Sequence, residues 1–150
     1  MPVLMTSSIK SSSGRLAYMF DSPAHDGSAQ RVLAAGGRNL NFIRAPSTGE
    51  ISPNQPGTYL QRQFHNQLGR AFNPRRKTQA QSIILSFADG ELTGSLDQRA
   101  KQALKLTDAF MKSTLPPTAS YAIAIQADGT GHKIHAHVLV NAIGTNGRAI

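Results

Sequence analysis

The 150-residue sequence contains no cysteine and no tryptophan, three tyrosines, and only eight acidic residues. Without cysteine there is no disulfide, no thiolate metal site and no cysteine nucleophile, and the absence accords with a reducing compartment. With three tyrosines, chemistry assigned to one of them has only two rivals. No segment approaches the roughly 18 uninterrupted apolar residues of a membrane span. The stretch from Met1 to Ile9 lacks the basic region and apolar run of a signal peptide. The expectation is a soluble cytoplasmic protein without membrane insertion. At this length one domain, 1–150, is expected, long enough to bury a core.

The acidic deficit is uneven. Residues 1–77 carry 10 Lys/Arg against 3 Asp/Glu, and residues 78–150 carry 6 against 5. A basic half is the electrostatic footprint of a partner rich in phosphate. No strongly amphipathic basic helix points to an anionic membrane instead.

Residues 3–9 suit a strand. Ser11 to Gly14 form a flexible or capping stretch, and Arg15 to Phe20 open a short helix. From Asp21 to Pro56 the chain is rich in Gly, Pro, Ser and Asn, and reads as one long irregular region. Leu60, Phe64, Leu68 and Phe72 recur every four residues and predict an amphipathic helix, which Asn73-Pro74 ends. Residues 82–88 read as a strand. Ser95 with Gln98 is a capping-box signature for a helix to about Lys112, with Leu96, Ala100, Ala103, Leu104, Phe110 and Met111 on one stripe. Two strands, Tyr121 to Ala127 and His132 to Ala142, flank the turn Asp128-Gly129-Thr130-Gly131. The order predicts an α+β domain with a central, largely antiparallel sheet and helices packed on one face.

The last strand carries the strongest chemical signal. Side chains alternate across a strand, so His135, His137 and Asn141 share one face while Ile134, Ala136, Val138 and Val140 take the other. His-x-His places two imidazoles about 7 Å apart at Cα, close enough to converge on one ion. A lone histidine is usually structural; here three of five histidines fall within six residues. His132 is a possible third ligand. Gln126 is the other, expected opposite Lys133 across a four-residue turn and on the histidine face. Asp128 is placed to act as a ligand or to orient one. The lack of Cys and of nearby carboxylates argues for an open site and against a closed structural zinc.

The run His135-Ala136-His137-Val138-Leu139-Val140-Asn141 resembles the HxHxxxN motif of the plasmid mobilisation relaxases (MobA/VirD type), within the HUH endonuclease superfamily. Gln126-Ala127-Asp128-Gly129 resembles the upstream arm of that motif, where most members carry His in place of Gln126. The segment from Gln79 to Phe87 is similar to the family's second motif, and Ser13 to Tyr18 to its first, where a tyrosine is the nucleophile. The resemblance covers roughly residues 5–145 in order and spacing, and implies an HUH relaxase-like fold. Family domains extend further, so it implies the N-terminal part of a longer protein.

The chemistry that the resemblance implies is a strand transfer. Tyr18 attacks a phosphodiester at a transfer origin of a plasmid or mobile element and forms a 5′-phosphotyrosyl link that a later hydroxyl can reseal. A divalent metal, Mn2+ or Mg2+, would be held by His135 and His137, with Gln126 or His132 as third ligand and Asp128 and Asn141 behind them. Ser86, by its position in the second motif, would contact DNA. Tyrosine ionises near pH 10 in isolation, so such a nucleophile needs a base or positive charge beside it; Arg15 is a candidate. Arg62, Arg70, Arg75, Arg76 and Lys77 suit phosphate contacts. The implied partners are single-stranded or supercoiled DNA at the origin, relaxosome accessory proteins and a secretion coupling protein, in a bacterial cytoplasm.

Tyr59 and Tyr121 are the rival nucleophiles, Tyr121 being placed to pack at a strand start. Three other functions fit parts of the pattern: a non-catalytic DNA-binding module with a degenerate metal site, a hydrolase whose metal activates water, and a structural protein with a histidine-rich strand. Only strand transfer requires a covalent adduct on Tyr18.

Overall fold

A computed structural model describes residues 3–21, 32–71, 77–88, 90–127 and 133–150. In chain order the elements are β1 Val3–Ile9, α1 Ser12–Phe20, β2 Val32–Arg38, α2 Gly57–Leu68, β3 Ala80–Ser86, α3 Leu96–Thr114, β4 Tyr121–Gln126 and β5 His135–Asn141. The strands form one sheet in the order β1-β3-β5-β4-β2, and every pairing is antiparallel. This is the expected α+β class, with the histidine strand β5 at the centre of the sheet.

The helices do not share one face. Ala136, Val138 and Val140 of β5 join Ala100, Ala103 and Met111 of α3 in one core cluster. Leu139 of β5 joins Leu16 and Met19 of α1 and Leu60 and Phe64 of α2 in another. Neighbouring strand residues point to opposite faces, so α3 covers one side and the α1–α2 pair the other. The run Tyr121 to Ile125 carried the clue: β4 is buried at every position, and a strand covered on both faces reads as continuously apolar.

The long region between Asp21 and Pro56 holds β2, which the sequence reading missed. Its Ala34-Ala35-Gly36-Gly37 core has low strand propensity. Small residues are nonetheless what this position requires. A Cβ on Gly36 would stand 3.1 Å from Leu104 of α3, and Gly37 lies hard against the Tyr121 carbonyl.

The expected stripe on α3 also shifts. Ala100, Ala103, Thr107 and Met111 are buried, whereas Leu96 and Phe110 are 42% and 39% exposed. The Ser95–Gln98 capping box is formed as expected, and the helix continues to Thr114. Leu60 and Phe64 of the four-residue repeat are fully buried, but α2 ends at Leu68 with Gly69 as its C-cap, earlier than the expected Asn73-Pro74 stop; Phe72, Asn73 and Pro74 lie outside the described residues. Strand β3 starts and stops two residues earlier than expected, and β5 starts at His135.

Tyr121 ties α3 to the sheet. It is fully buried and its hydroxyl donates to Asp108 Oδ1 at 2.6 Å, while Asp108 also pairs with Lys112 at 2.8 Å. Burial, then the Asp108 hydrogen bond and charge, push ionisation of this phenol upward from its ordinary value near 10. A raised folded pKa means stability that is present below pH 10 and lost as pH rises through that value. Wild type is expected to lose up to about 1.4 kcal/mol per pH unit above pH 10 relative to Tyr121→Phe. Urea unfolding between pH 8 and 11 checks this, and parallel stability curves for the two proteins would refute it.

Candidate active site

Helix α1 is laid across the α1–α2 face of the sheet by a series of polar ties. Ser11 caps it, accepting from the Gly14 amide at 3.2 Å. The Ser12 amide and hydroxyl both donate to Gln79 Oε1, at 2.9 and 3.1 Å, anchoring the helix start beside β3. Against α2, Gln61 Nε2 donates to the Ser13 carbonyl at 3.1 Å, and Ser13 Oγ lies 2.7 Å from His65 Nε2. At the far end Asp21 Oδ1 accepts from the Gly57 amide at 3.0 Å. Gly57 admits this close approach because it has no Cβ to collide with that carboxylate.

With Leu16 and Met19 fully buried, the rotation of α1 is fixed, and Arg15 and Tyr18 emerge together one turn apart. The Arg15 guanidinium carbon stands 5.2 Å from the Tyr18 ring centroid, and Nη2 donates to Ser82 Oγ on β3 at 3.0 Å. Arg15 Nε is shielded from solvent and has no hydrogen-bond partner among the described residues. Tyr18 remains 38% exposed.

The sheet supplies the other half. Cross-strand register puts Ile84, His137 and Ala124 in one row, and Ser86, His135 and Gln126 in the next, on the face that α1 crosses. The rings of His135 and His137 lie 6.4 Å apart between centroids, and His137 meets Tyr18 edge-on at 6.4 Å. An exposed phenol, two imidazoles and a guanidinium thus gather at one end of the sheet.

Gln126 is opposite His135, not Lys133. The expected four-residue turn is too short, because β4 ends at Gln126 and β5 begins only at His135. The face was right and the register was not. Gln126 is fully buried and its Nε2 donates to the Met19 carbonyl at 2.9 Å, so the amide is oriented by the end of α1.

The donor set fits a cation in part. Two ring nitrogens each about 2.1 Å from an ion would put ring centroids roughly 5–6 Å apart, so the pair needs only a small side-chain adjustment. Among the described residues no three His, Cys, Asp or Glu side chains cluster. A complete set therefore needs a carboxamide such as Gln126 or oxygens from the substrate. His132 and Asp128 lie outside the described residues, as do Arg75 and Arg76.

The remaining candidates separate. Ser86 is in the row of His135. Asn141 is buried at the other end of β5, where Nδ2 donates to the Phe64 carbonyl at 3.2 Å and Oδ1 accepts from the Ile143 amide at 3.0 Å. It therefore pins α2 to the sheet. Arg70 lines a cleft with Asn39, Asn41 and Gln63, beyond the Arg38–Tyr121 end of β2 and β4. Lys77 precedes Ala80, which pairs with Asn141. Both therefore sit about 20 Å from the histidine end, a six-residue strand length. Arg62 is exposed on α2. Gln79, Ser82 and the Met19 carbonyl were not recognised as parts of the site, since hydrogen bonds to a helix packed on a sheet leave no spacing signal.

A family model described as "Relaxase: MobA/VirD2-like, nuclease domain" matches residues 53–150, more than half of the chain. The chain belongs to this family. Membership implies a nuclease acting on DNA at a transfer origin. The matched part of the relaxase domain contains β3, α3, β4 and the histidine strand; α1 and Tyr18 precede it. A comparison with curated proteins gave no match. Among the described residues no helix is long and apolar enough to cross a membrane.

Proposed function

We propose that this relaxase domain nicks one DNA strand by tyrosine transesterification, with Tyr18 as nucleophile. The observation that carries the proposal is the placement of an exposed Tyr18 against both His137 and Arg15, at 6.4 and 5.2 Å. Tyr18 Oη forms a bond to the scissile phosphorus as the bond to the 3′ oxygen breaks. The tyrosine proton leaves to solvent, and the departing 3′ oxygen takes one up. The product is a 5′-phosphotyrosyl link, which conserves the phosphodiester for resealing by a later 3′ hydroxyl.

Arg15 contributes positive charge beside the phenol, where it would attract the anionic phosphate. Its tie to Ser82 keeps the guanidinium in place before substrate arrives. His135 and His137, with Gln126 adjacent, would hold a divalent cation, which when bound neutralises charge on the non-bridging oxygens. Two imidazoles favour Mn2+ over Mg2+, whose preferred ligands are oxygens. Ser86, which pairs with His135, would touch the strand. In a bacterial cytoplasm the covalent complex would be mobilised with relaxosome accessory proteins and a secretion coupling protein.

The test is a single-stranded oligonucleotide spanning the cognate origin, incubated with Mn2+ and run on a denaturing protein gel. A 3′ label is expected to shift into a protein-linked band, and a 5′ label to leave as a free fragment. EDTA is expected to abolish both. Cleavage that frees both fragments would replace Tyr18 with a metal-activated water, and salt-sensitive binding without cleavage would leave a DNA-binding module.

A further inference from the structure

One step past Ser86 and His135 the β3–β5 ladder continues, with the Phe87 amide donating to the Ile134 carbonyl at 3.0 Å. Beyond it opens a cavity of about 150 Å³, floored by Phe87, Leu92 and Ile134 and edged by Arg99 and Lys133. The floor residues are buried. Arg99, in the first turns of α3, has Nε shielded from solvent and no side-chain hydrogen bond or ion pair among the described residues. Lys133 is exposed and stands two residues before His135.

Among the described residues the nearby acids are engaged elsewhere. Asp97 pairs with Lys101 at 3.5 Å, and Glu91 accepts from the Ala88 amide at 3.0 Å without lining the cavity. Two cations that have no carboxylate partner among the described residues, at the mouth of a recess with an apolar floor, offer a receptor for an anion. A guanidinium whose Nε is shielded yet unused offers a donor that a phosphate oxygen can accept from.

We infer that the Arg99–Lys133 cavity binds a backbone phosphate of the strand that Tyr18 cuts, holding the DNA around the end of the sheet. This rests on the strand-nicking function proposed above. Because alternation turns Phe87 and Ile134 away from the histidine face, the strand passes from one face of the sheet to the other. The contact fixes the strand's register without reading a base.

The test uses the Tyr18→Phe protein, so that cleavage does not intervene, and its affinity for the origin oligonucleotide against salt. Arg99→Gln and Lys133→Gln are each expected to weaken binding about 5–10-fold, and the pair to reduce the log–log salt slope by about 0.7. Replacing each phosphate in turn by a neutral methylphosphonate should reveal one linkage whose loss weakens the parent but not the double variant. Arg99→Lys, which keeps charge and stem, guards against a folding artefact and should retain the slope but lose affinity. An unchanged slope, or the same methylphosphonate profile in parent and double variant, overturns the inference. So does protection of the cavity by inorganic phosphate alone, which would make it a site for a free anion. Failure of the nicking function would appear separately, as a wild-type protein that forms no adduct yet shows the salt-slope difference.

Discussion

Tyr18→Phe is expected to remove the covalent adduct altogether, a loss on the order of 10⁴-fold or more, while leaving the fold and the affinity for single-stranded DNA in place. The substitution deletes one oxygen. The ring that meets His137 and Arg15 is retained, and at 38% exposure the change should move stability by less than about 0.5 kcal/mol. The other two tyrosines serve as controls. Tyr121 is fully buried with its hydroxyl on Asp108, so it has no access to a phosphate. Tyr59 is 36% exposed in the first turn of α2, and among the described residues neither imidazole nor guanidinium stands against its ring. Tyr59→Phe should therefore form adduct at the wild-type rate. The measurement is adduct formed per minute on a denaturing gel, with unfolding midpoints and binding constants alongside. Adduct that survives Tyr18→Phe but disappears with Tyr59→Phe would move the chemistry to α2 and overturn the role given to Arg15.

What the sequence disclosed follows from how local each signal was. The Ser95–Gln98 capping box and the Leu60–Phe64 spacing are written within a few residues, and α3 and α2 begin and pack accordingly. The His135–His137 pair was equally local, because strand alternation alone puts both rings on one side. Three features were missed. Strand β2 is built from Ala and Gly because Leu104 and the Tyr121 carbonyl press on it, a constraint invisible within the segment itself. The two-faced sheet follows from α3 crossing to the opposite side from α1 and α2. The pairing of Gln126 with His135 depended on a turn whose length was misjudged.

The basic residues illustrate the same limit. Charge counting marked the first half of the chain as the DNA-facing part, yet Arg70 and Lys77 lie at the end of the sheet away from the histidines. Among the described residues, Arg15 is the basic residue of that half that reaches Tyr18, because the cap at Ser11 and the Gln79 tie fix how α1 turns. Phosphate contacts at the far end would steer or hold DNA away from the cut, where they would act on affinity and its salt dependence rather than on rate.

Removing the imidazoles should separate metal holding from strand binding. His135→Ala and His137→Ala are each expected to reduce nicking about 10²–10⁴-fold at limiting Mn2+, since even residues that only orient metal ligands cost 10–100-fold. Raising Mn2+ should restore part of the activity of either single variant, because one imidazole and the Gln126 amide remain, but not that of the double variant. The two are not equivalent. His137 also packs edge-on against Tyr18, so its loss would free the ring of the proposed nucleophile as well as a proposed ligand position. His135 shares its row with Gln126 and Ser86, and its loss should act on metal affinity alone. Mn2+ titration by calorimetry without DNA reads the metal directly, and DNA affinity in EDTA should stay within about twofold of wild type in every variant. A double variant that binds Mn2+ and nicks as wild type does would place the metal elsewhere. Retained Mn2+ binding with lost nicking would instead give the histidines a role on the phosphate or on Tyr18 itself.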